Sequence, residues 1–310
     1  MNIIHAAGEL QPGPQKVCAA IGVFDGVHLG HQQVIRQTLA DAEQQEALAV
    51  VITFDCHPST VVAPDRVPPL IYPLNKKLRT IETLGVDTTL LLHFDEALSR
   101  QPGDVFVREL AANLGHIHSI CVGSSFAFGH KRSGDVALLK RLGGELRFIV
   151  HGLAAVSLDG QPVSSTRIRE AIRVGQFDEA GQMLGRAYTL CGLVLRGDQL
   201  GRQIGFPTAN LDATGLALPP TGVYAVHAHA LGKFHRAVLN IGYRPTVKSP
   251  WPELRVEAHL LEFDGDLYGQ ELEITVVTKM RDEQKFSSLA ALQEQIKQDI
   301  ATARLIFAAH

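Results

Sequence analysis

A chain of 310 residues is long enough for about two domains of ordinary size, and its 45% hydrophobic content can fill their cores. Its net charge of −3 and pI near 6.5 give no bulk electrostatic reason to bind nucleic acid or an anionic membrane. Cys18, Cys56, Cys121 and Cys191 stand far apart with no C-x-x-C pair, which disfavours a zinc cluster and a disulfide framework. The first ten residues lack a basic segment followed by an apolar one, and no apolar run reaches the length of a membrane span. We therefore expect a cytoplasmic protein with free thiols.

Val17 to Val23 and Ala47 to Phe54 are apolar runs of strand length. Between them, Gly30 to Gln45 carries Val34, Ile35, Leu39 and Ala42 at helical spacing, which predicts a β-α-β unit. After a loop containing Pro64, Pro68, Pro69 and Pro73, the pattern predicts a helix from Asn75 to Gly85 and a strand from Thr88 to Phe94. Phe106, Leu110 and Leu114 mark a helix that stops at Gly115. A strand over Ile117 to Val122, a helix over Asp135 to Leu142 and a strand over Leu146 to Val150 follow. Such alternation argues for a parallel sheet covered on both faces, with ligands beyond the carboxyl ends of its strands.

Gly22-Val23-Phe24-Asp25-Gly26-Val27-His28-Leu29-Gly30-His31 falls where the first strand turns into the first helix, a place where phosphates bind. Two imidazoles there can donate hydrogen bonds to phosphoryl oxygens and stabilise charge that develops during transfer. An ordinary surface or capping role is the competing reading of each. Ser164-Ser165-Thr166-Arg167-Ile168-Arg169 reads as a loop entering a helix, with Ser164 or Ser165 as N-cap and Gly175 as its stop. Capping does not explain two arginines in an opening turn, where the helix dipole disfavours cations unless an anion sits among them.

The segment from Phe177 to Arg186 reads as a short helix, capped by Asp178 and closed by Gly185, and then a boundary, after which the period changes. Tyr188 to Leu195, Val223 to Ala230, Arg236 to Ile241, Leu254 to Phe263 and Glu271 to Val277 are strand-like, with Asp264-Gly265-Asp266 as the clearest hairpin signal. Several antiparallel strands imply a small barrel. Leu289, Leu292, Ile296 and Ile300 recur at the helical period behind Ser287 or Ser288 as cap.

Within this half, Thr208 and Asn210 lie one residue apart on a strand and so share a face. Their neutral oxygens are ligands of the kind that hold Mg²⁺ together with water and nucleotide phosphates, although turn chemistry explains Pro207-Thr208 and Asn210 as well. Gly197-Asp198-Gln199-Leu200-Gly201-Arg202 offers a glycine-rich loop whose backbone N–H groups could approach phosphate. Arg255, Glu257 and His259 share one face of a later strand, which pattern alone would assign to the solvent side.

The run Gly201 to Leu211, with Asn240-Ile241-Gly242-Tyr243-Arg244-Pro245-Thr246 and Val256-Glu257-Ala258-His259, resembles the riboflavin kinase module. His28-Leu29-Gly30-His31 and Ser164-Ser165-Thr166-Arg167-Ile168-Arg169 resemble the nucleotidyltransferase domain of bacterial bifunctional riboflavin kinase/FAD synthetases, and the likeness covers most of the chain. This resemblance implies an α/β protein: a Rossmann-like nucleotidyltransferase domain with a parallel sheet over residues 1–184, then a small antiparallel barrel with a C-terminal helix over 185–310. It implies phosphorylation of riboflavin to FMN and adenylylation of FMN to FAD, with ATP as co-substrate of both and Mg²⁺ brought in with it. Small molecules would be the partners: ATP, riboflavin, FMN and FAD, with no nucleic acid and no membrane.

By the same resemblance, Glu257 is the base for the ribityl hydroxyl, and His28, His31 and Arg167 act on the polyphosphate. Gly22, Phe24, Asp25, Gly26, Gly30, Ser164, Ser165, Thr166, Gly197, Gly201, Arg202 and Gly205 would bind ATP. Thr208 and Asn210 would hold the metal, and Ser125, Asn240 and Arg281 the flavin. Phe54 and His57 could line a nucleotide or flavin pocket. Two positions depart from the family pattern: Ser125 stands where Asn or Asp is usual, and Cys56 where Pro is usual, which suggests a more flexible loop there. They leave open a chain that retains only the kinase, and beyond it a regulatory protein that binds flavin without turnover.

Overall fold

The computed structural model describes residues 1–10, 15–197, 199–244 and 253–309. Asp198, Pro245 and Thr246 of the motifs above lie outside the described residues. The chain divides into two compact units, one of residues 1–167 with 183–185, the other of 168–182 with 186–310.

In the first unit the strands are β1 (Asn2–Ile4), β2 (Val17–Ile21), β3 (Leu48–Phe54), β4 (Thr88–Leu92), β5 (Ile117–Gly123) and β6 (Ile149–Leu153). They form a parallel sheet in the order β1-β4-β3-β2-β5-β6. Helices α1 (Leu29–Gln44), α2 (Leu74–Glu82), α3 (Gly103–Leu114) and α4 (Val136–Leu146) cover it. Successive strand residues face opposite ways, so Ala19, Ile21, Val50 and Ile52 pack with Val107, Leu110, Leu139 and Leu142 of α3 and α4. Ala20 and Val51 pack instead with Val34, Ile35 and Ile81 of α1 and α2. Burial on both faces is why these strands read as continuous apolar runs. From β2 the chain builds β3 and β4 to one side and then returns to place β5 on the other. The order therefore reverses at the carboxyl end of β2, the crevice where such sheets bind ligands.

One boundary in this unit differs from the sequence reading. Leu146 ends α4 instead of opening a strand, Arg147 takes a left-handed conformation (φ 65°, ψ 45°), and β6 starts at Ile149. The sequence reading ends the helix at Leu142, before the paired glycines at 143 and 144. Gly143 is instead required inside the helix, where a Cβ would meet the Phe148 carbonyl at 2.6 Å.

Helix α5 (Ser165–Arg173) and helix α6 (Phe177–Leu184) precede the barrel. Asp178 sits inside the first turn of α6 and not at its cap. The second unit is a closed barrel of β7 (Thr189–Leu195), β8 (Ala209–Leu211), β9 (Gly222–Ala230), β10 (Lys233–Arg244), β11 (Glu253–Leu260) and β12 (Glu271–Arg281), followed by α7 (Leu289–Ala309). Its order is β7-β8-β11-β10-β9-β12, every pair antiparallel, with β12 returning to β7.

Asp264-Gly265-Asp266 is therefore no hairpin, because β11 and β12 pair with other strands. The two-residue hairpin is Leu231-Gly232, between paired Ala230 and Lys233, with both turn residues at positive φ (51° and 74°). Leucine is an uncommon residue there, and the turn escaped notice. Ser288 caps α7 by accepting the Ala291 N–H at 3.2 Å. Ala303 and Phe307, with Ile300 packed against them, dock the second half of this helix on the barrel, and Leu292, Ile296 and Ile300 line a cavity.

Candidate active sites

The first site lies in the turn between β2 and α1. Phe24 and Val27 there have positive φ (52° and 41°), conformations that cost non-glycine residues on the order of 1–3 kcal/mol and need support from their surroundings. Thr53 donates its hydroxyl to the Val23 carbonyl (3.1 Å), and the Asp25 carboxylate accepts the Ile71 N–H (3.0 Å). Phe24 is buried beneath the turn and meets His31 edge-on at 5.3 Å. A Cβ on Gly22 would strike that ring, and one on Gly26 would strike Ile71.

His28 is the N-cap of α1, its Nδ1 accepting the His31 N–H at 3.3 Å. An accepting Nδ1 carries no proton, so the neutral ring holds its proton on Nε2 as a donor. Gly30 leaves room for this ring, since a Cβ would approach its Cε1 to 3.2 Å. The two imidazoles stack at 3.6 Å. Burial, with His28 and Lys77 close by, holds the His31 pKa well below the usual imidazole value. His31 is thus neutral at pH 7 and offers a hydrogen bond rather than a charge. Its Nδ1 is buried with no hydrogen-bond partner among the described residues.

The loop entering α5 joins this turn. Ser164 is the cap of α5, accepting the Arg167 N–H at 3.2 Å, and Ser165 donates its hydroxyl to the Asp25 carbonyl at 2.9 Å. Arg167 donates to the carbonyls of Leu158 (3.1 Å) and Gln161 (3.4 Å), which belong to a small hairpin. Thr166 is exposed.

Near the same strand ends, a cavity of about 590 Å³ is lined by Phe54, Phe94, Phe106, Phe126 and Phe128. Phe126 and Phe128 stack at 5.2 Å, and Phe54 meets Phe94 edge-on at 5.4 Å. Of these only Phe54 was singled out in the sequence, because aromatics from four separate segments show no shared period. Ser125 is exposed and does not line the cavity. His57 accepts the Ser59 N–H at 3.1 Å, and Cys56 accepts the Thr60 hydroxyl at 3.2 Å and reaches the Phe94 carbonyl at 3.6 Å. The loop expected to be flexible at Cys56 is tied down by these bonds.

The second site lies in the barrel. Asn210 on β8 stands opposite Glu257 on β11, and Glu257 stands opposite Asn240 on β10. Directly opposed residues face the same way, so the three side chains form one row across three strands. Val256, Ala258 and Leu260 are buried while Arg255, Glu257 and His259 line a cavity of about 270 Å³, as the alternation required. His259 donates from Nδ1 to the Pro207 carbonyl (2.8 Å), which fixes the segment that carries Thr208.

A second cavity of about 350 Å³ is lined by Arg202, Phe263, Asp264, Asp266 and Tyr268. Thr208 and Asn210 line both cavities. The glycines upstream serve this wall. A Cβ on Gly197 would lie 2.6 Å from the Asn210 amide nitrogen, and one on Gly201 would lie 2.4 Å from the Phe206 carbonyl. Gly201 and Arg202 lie in a helical turn, Leu200–Gln203, rather than in an open loop, and the Phe206 N–H closes on the Gly201 carbonyl at 2.7 Å. Gly205, at φ 88°, reverses the chain toward β8.

The first cavity is closed on its far side by the segment after β12. Arg281 binds Asp299 of α7 through two bonds (2.8 and 2.7 Å) and donates to the Asp282 carbonyl (2.9 Å). Glu283 accepts the Tyr243 N–H at 2.9 Å. The resemblance pointed to Arg281 as a flavin residue, but its pairing with Asp299 and the bond from Tyr243 to Glu283 join segments distant in sequence and were not legible there.

Residues 10–167 match the FAD synthetase family and residues 184–307 the Riboflavin kinase family. Among curated relatives, the bifunctional riboflavin kinase/FMN adenylyltransferase of Pseudomonas fluorescens is 38% identical over 309 residues, covering 99% of this chain and 98% of that protein. Those of Haemophilus influenzae and Escherichia coli K12 are each 36% identical, over 306 and 309 residues, covering 98% and 99% of this chain and 97% and 98% of theirs. A solved structure from Streptococcus pneumoniae, described as a macrolide-efflux protein, superposes with a TM-score of 0.80 at 28% identity, covering 97% of this chain and 98% of its own. Among the described residues here, no helix is long and apolar enough to cross a membrane. With both family matches and full-length relatives above 30% identity, the chain belongs to the bifunctional riboflavin kinase/FMN adenylyltransferase family.

Proposed function

We propose that the two activities of this family are divided between the units, the kinase in residues 185–310 and the adenylyltransferase in residues 1–184. The enzyme phosphorylates riboflavin with ATP to give FMN and ADP, and it adenylylates FMN with a second ATP to give FAD and pyrophosphate. One observation carries the placement of the kinase: Thr208 and Asn210 form the wall shared by two cavities, and Glu257 stands beside Asn210 on the rim of only one.

In that reading riboflavin occupies the cavity lined by Glu257. Its ring lies against Phe286, Leu292 and Ile296 and its ribityl chain runs toward Glu257, while Asn240 and Arg281 bound the space. ATP occupies the neighbouring cavity with its terminal phosphate toward Thr208. Glu257 accepts the proton of the terminal ribityl hydroxyl as that oxygen attacks the γ-phosphorus and ADP departs. A hydroxyl and an amide oxygen, neutral and hard, fit Mg²⁺ that arrives with ATP and keeps water and phosphate as its other ligands. When bound, the ion would neutralise charge on the phosphates. Gly197, Gly201 and Arg202 shape the ATP side.

In the N-terminal unit the flavin of FMN lies in the phenylalanine-lined cavity, and ATP lies over the turn of Gly22, Asp25, Gly26, His28 and Gly30. The FMN phosphate attacks the α-phosphorus and pyrophosphate leaves, so no proton need be removed from the attacking group. His28 donates from Nε2, and the orphaned buried Nδ1 of His31 marks a hydrogen bond for a ligand to complete. Arg167 holds the opposite side of the phosphates, and Ser165 ties its loop to the turn through the Asp25 carbonyl. Ser125 lies off the cavity, so its departure from the family pattern does not remove a wall. A cytoplasmic location fits the four free thiols. Incubating the protein with riboflavin, ATP and Mg²⁺ and separating the flavins by chromatography tests the proposal. FMN and FAD together support it, FMN alone removes the adenylyltransferase, and neither product removes both.

A further inference from the structure

Lys77, on α2, is buried with about 7% of its surface exposed, an unusual place for a cation. Its ammonium donates to the Phe54 carbonyl (2.7 Å), the Thr53 hydroxyl (3.2 Å) and the Val23 carbonyl (3.4 Å). An ammonium has three N–H bonds. All three are thus engaged by oxygens at the carboxyl ends of β2 and β3, and none is left for a phosphate. The titratable groups around it are Asp25 in the turn after β2, Asp55, Cys56 and His57 after β3, His31 on α1, and Tyr72 in the segment leading to α2. Asp25 and Asp55 put two carboxylates beside a turn that must receive a polyphosphate. The carbonyls of Val23 and Phe54 add negative dipole ends.

We infer that Lys77 is a positioning residue for adenylyl transfer: it fixes the ends of β2 and β3 and offsets Asp25 and Asp55 around the nucleotide phosphates without touching either substrate. The inference rests on the adenylyltransferase reading of this turn. Desolvating an ammonium is costly, and an apolar side chain would fill the same space without that penalty, so packing alone does not account for a cation here. The strained Phe24 and Val27 backbone is held at Val23 by Lys77 and Thr53, and the same turn carries His28 and His31. Burial lowers the Lys77 pKa to about 8, against the opposing pull of Asp25 and Asp55. Below that pH the ammonium is charged and makes three bonds; above it, the charge and one donor are lost.

The test compares FAD formation from FMN with FMN formation from riboflavin, in the full chain, between pH 6 and 10. The parent is expected to lose adenylylation about tenfold per pH unit above about 8. Lys77→Met is expected to lower adenylylation roughly ten- to a hundredfold at pH 7, the scale of misplacing reacting groups by about an ångström, and to abolish that alkaline limb. Its riboflavin phosphorylation should match the parent at each pH. Lys77→Arg, which keeps the cation, should retain part of the activity with the limb moved out of the range. A folded Met variant that adenylylates at the parent rate, or either variant that retains the alkaline limb, overturns the inference. Should the Met variant not fold, the Arg variant decides by the same criterion. A parent that makes no FAD from FMN would remove the adenylyltransferase reading and this inference with it, whereas an active parent with an unaltered Met variant would overturn this inference alone.

Discussion

His28 does two things that a pair of substitutions can separate. Its Nδ1 caps α1 through a 3.3 Å bond, and its Nε2 carries the proton assigned to the polyphosphate. In His28→Ala the cap is lost, at about 0.5–1 kcal/mol for a bond this long, together with the ring stacked at 3.6 Å on His31, worth about 0.5–1.5 kcal/mol. The sum, about 1–2.5 kcal/mol, lowers the melting temperature of a unit this size by roughly 2–10 °C. It leaves the protein folded at 25 °C if the unit has the usual 5–15 kcal/mol of stability. Loss of one stabilising donor costs roughly ten- to a thousandfold in rate. At 25 °C, FAD formation from FMN should therefore fall by that factor while riboflavin phosphorylation continues. His28→Asn keeps a capping oxygen but has neither the stacked ring nor a donor at the Nε2 position, so it should recover the capping share of the melting temperature, about half of the loss, without the activity. An Asn variant that adenylylates at the parent rate would refute the donor role, and loss of both activities in the Ala variant would make His28 structural.

Three further outcomes follow from the barrel. Gly197→Ala drives a Cβ toward the movable Asn210 amide, and Gly201→Ala drives one toward the fixed Phe206 carbonyl. The first should raise the kinase KM for MgATP with little change in stability, and the second should lower stability as well; thermal melts and kinase kinetics that show the reverse order would contradict the close-approach argument. Asp299→Asn leaves Arg281, which is 22% exposed, without its carboxylate, and should cost on the order of 2 kcal/mol and raise the KM for riboflavin, with adenylylation of supplied FMN unchanged. A parental KM would detach this ion pair from the flavin cavity. Mg²⁺ titrated calorimetrically into nucleotide-free protein should bind weakly, because Thr208 and Asn210 bring no charge to it; tight binding there without ATP or ADP would contradict the assignment.

The sheet was legible because its central strands bury both faces and each covering helix repeats its apolar residues, so Val17 to Leu146 could be divided almost at its true boundaries. Reading failed where glycine served packing and not termination, as at Gly143, and where an acidic turn signal joined strands that pair elsewhere, as at Asp264 to Asp266. In the sites, motif residues adjacent in sequence were found: His28 with His31, Ser164 to Arg167, Thr208 with Asn210. The row of Asn210, Glu257 and Asn240 depends on barrel register, which no local pattern encodes. Lys77 was missed for a different reason: its neighbours on α2 present an ordinary amphipathic face, and a lysine there reads as solvent-facing until the fold buries it.

The division of labour between the two units is tested most directly through Glu257→Gln. The substitution keeps the shape of a side chain on the cavity face of β11 and removes the group assigned to accept the hydroxyl proton. A general base contributes a factor of roughly a hundred to ten thousand, so FMN formation from riboflavin should fall by about that much. FAD formation from supplied FMN should proceed at the parent rate, because that acceptor is already an anionic phosphate and its site is built from β2, α1 and the loop entering α5. Normal phosphorylation of riboflavin by the Gln variant would contradict the base assignment, and collapse of FAD formation from FMN would contradict the placement of the two reactions in separate units.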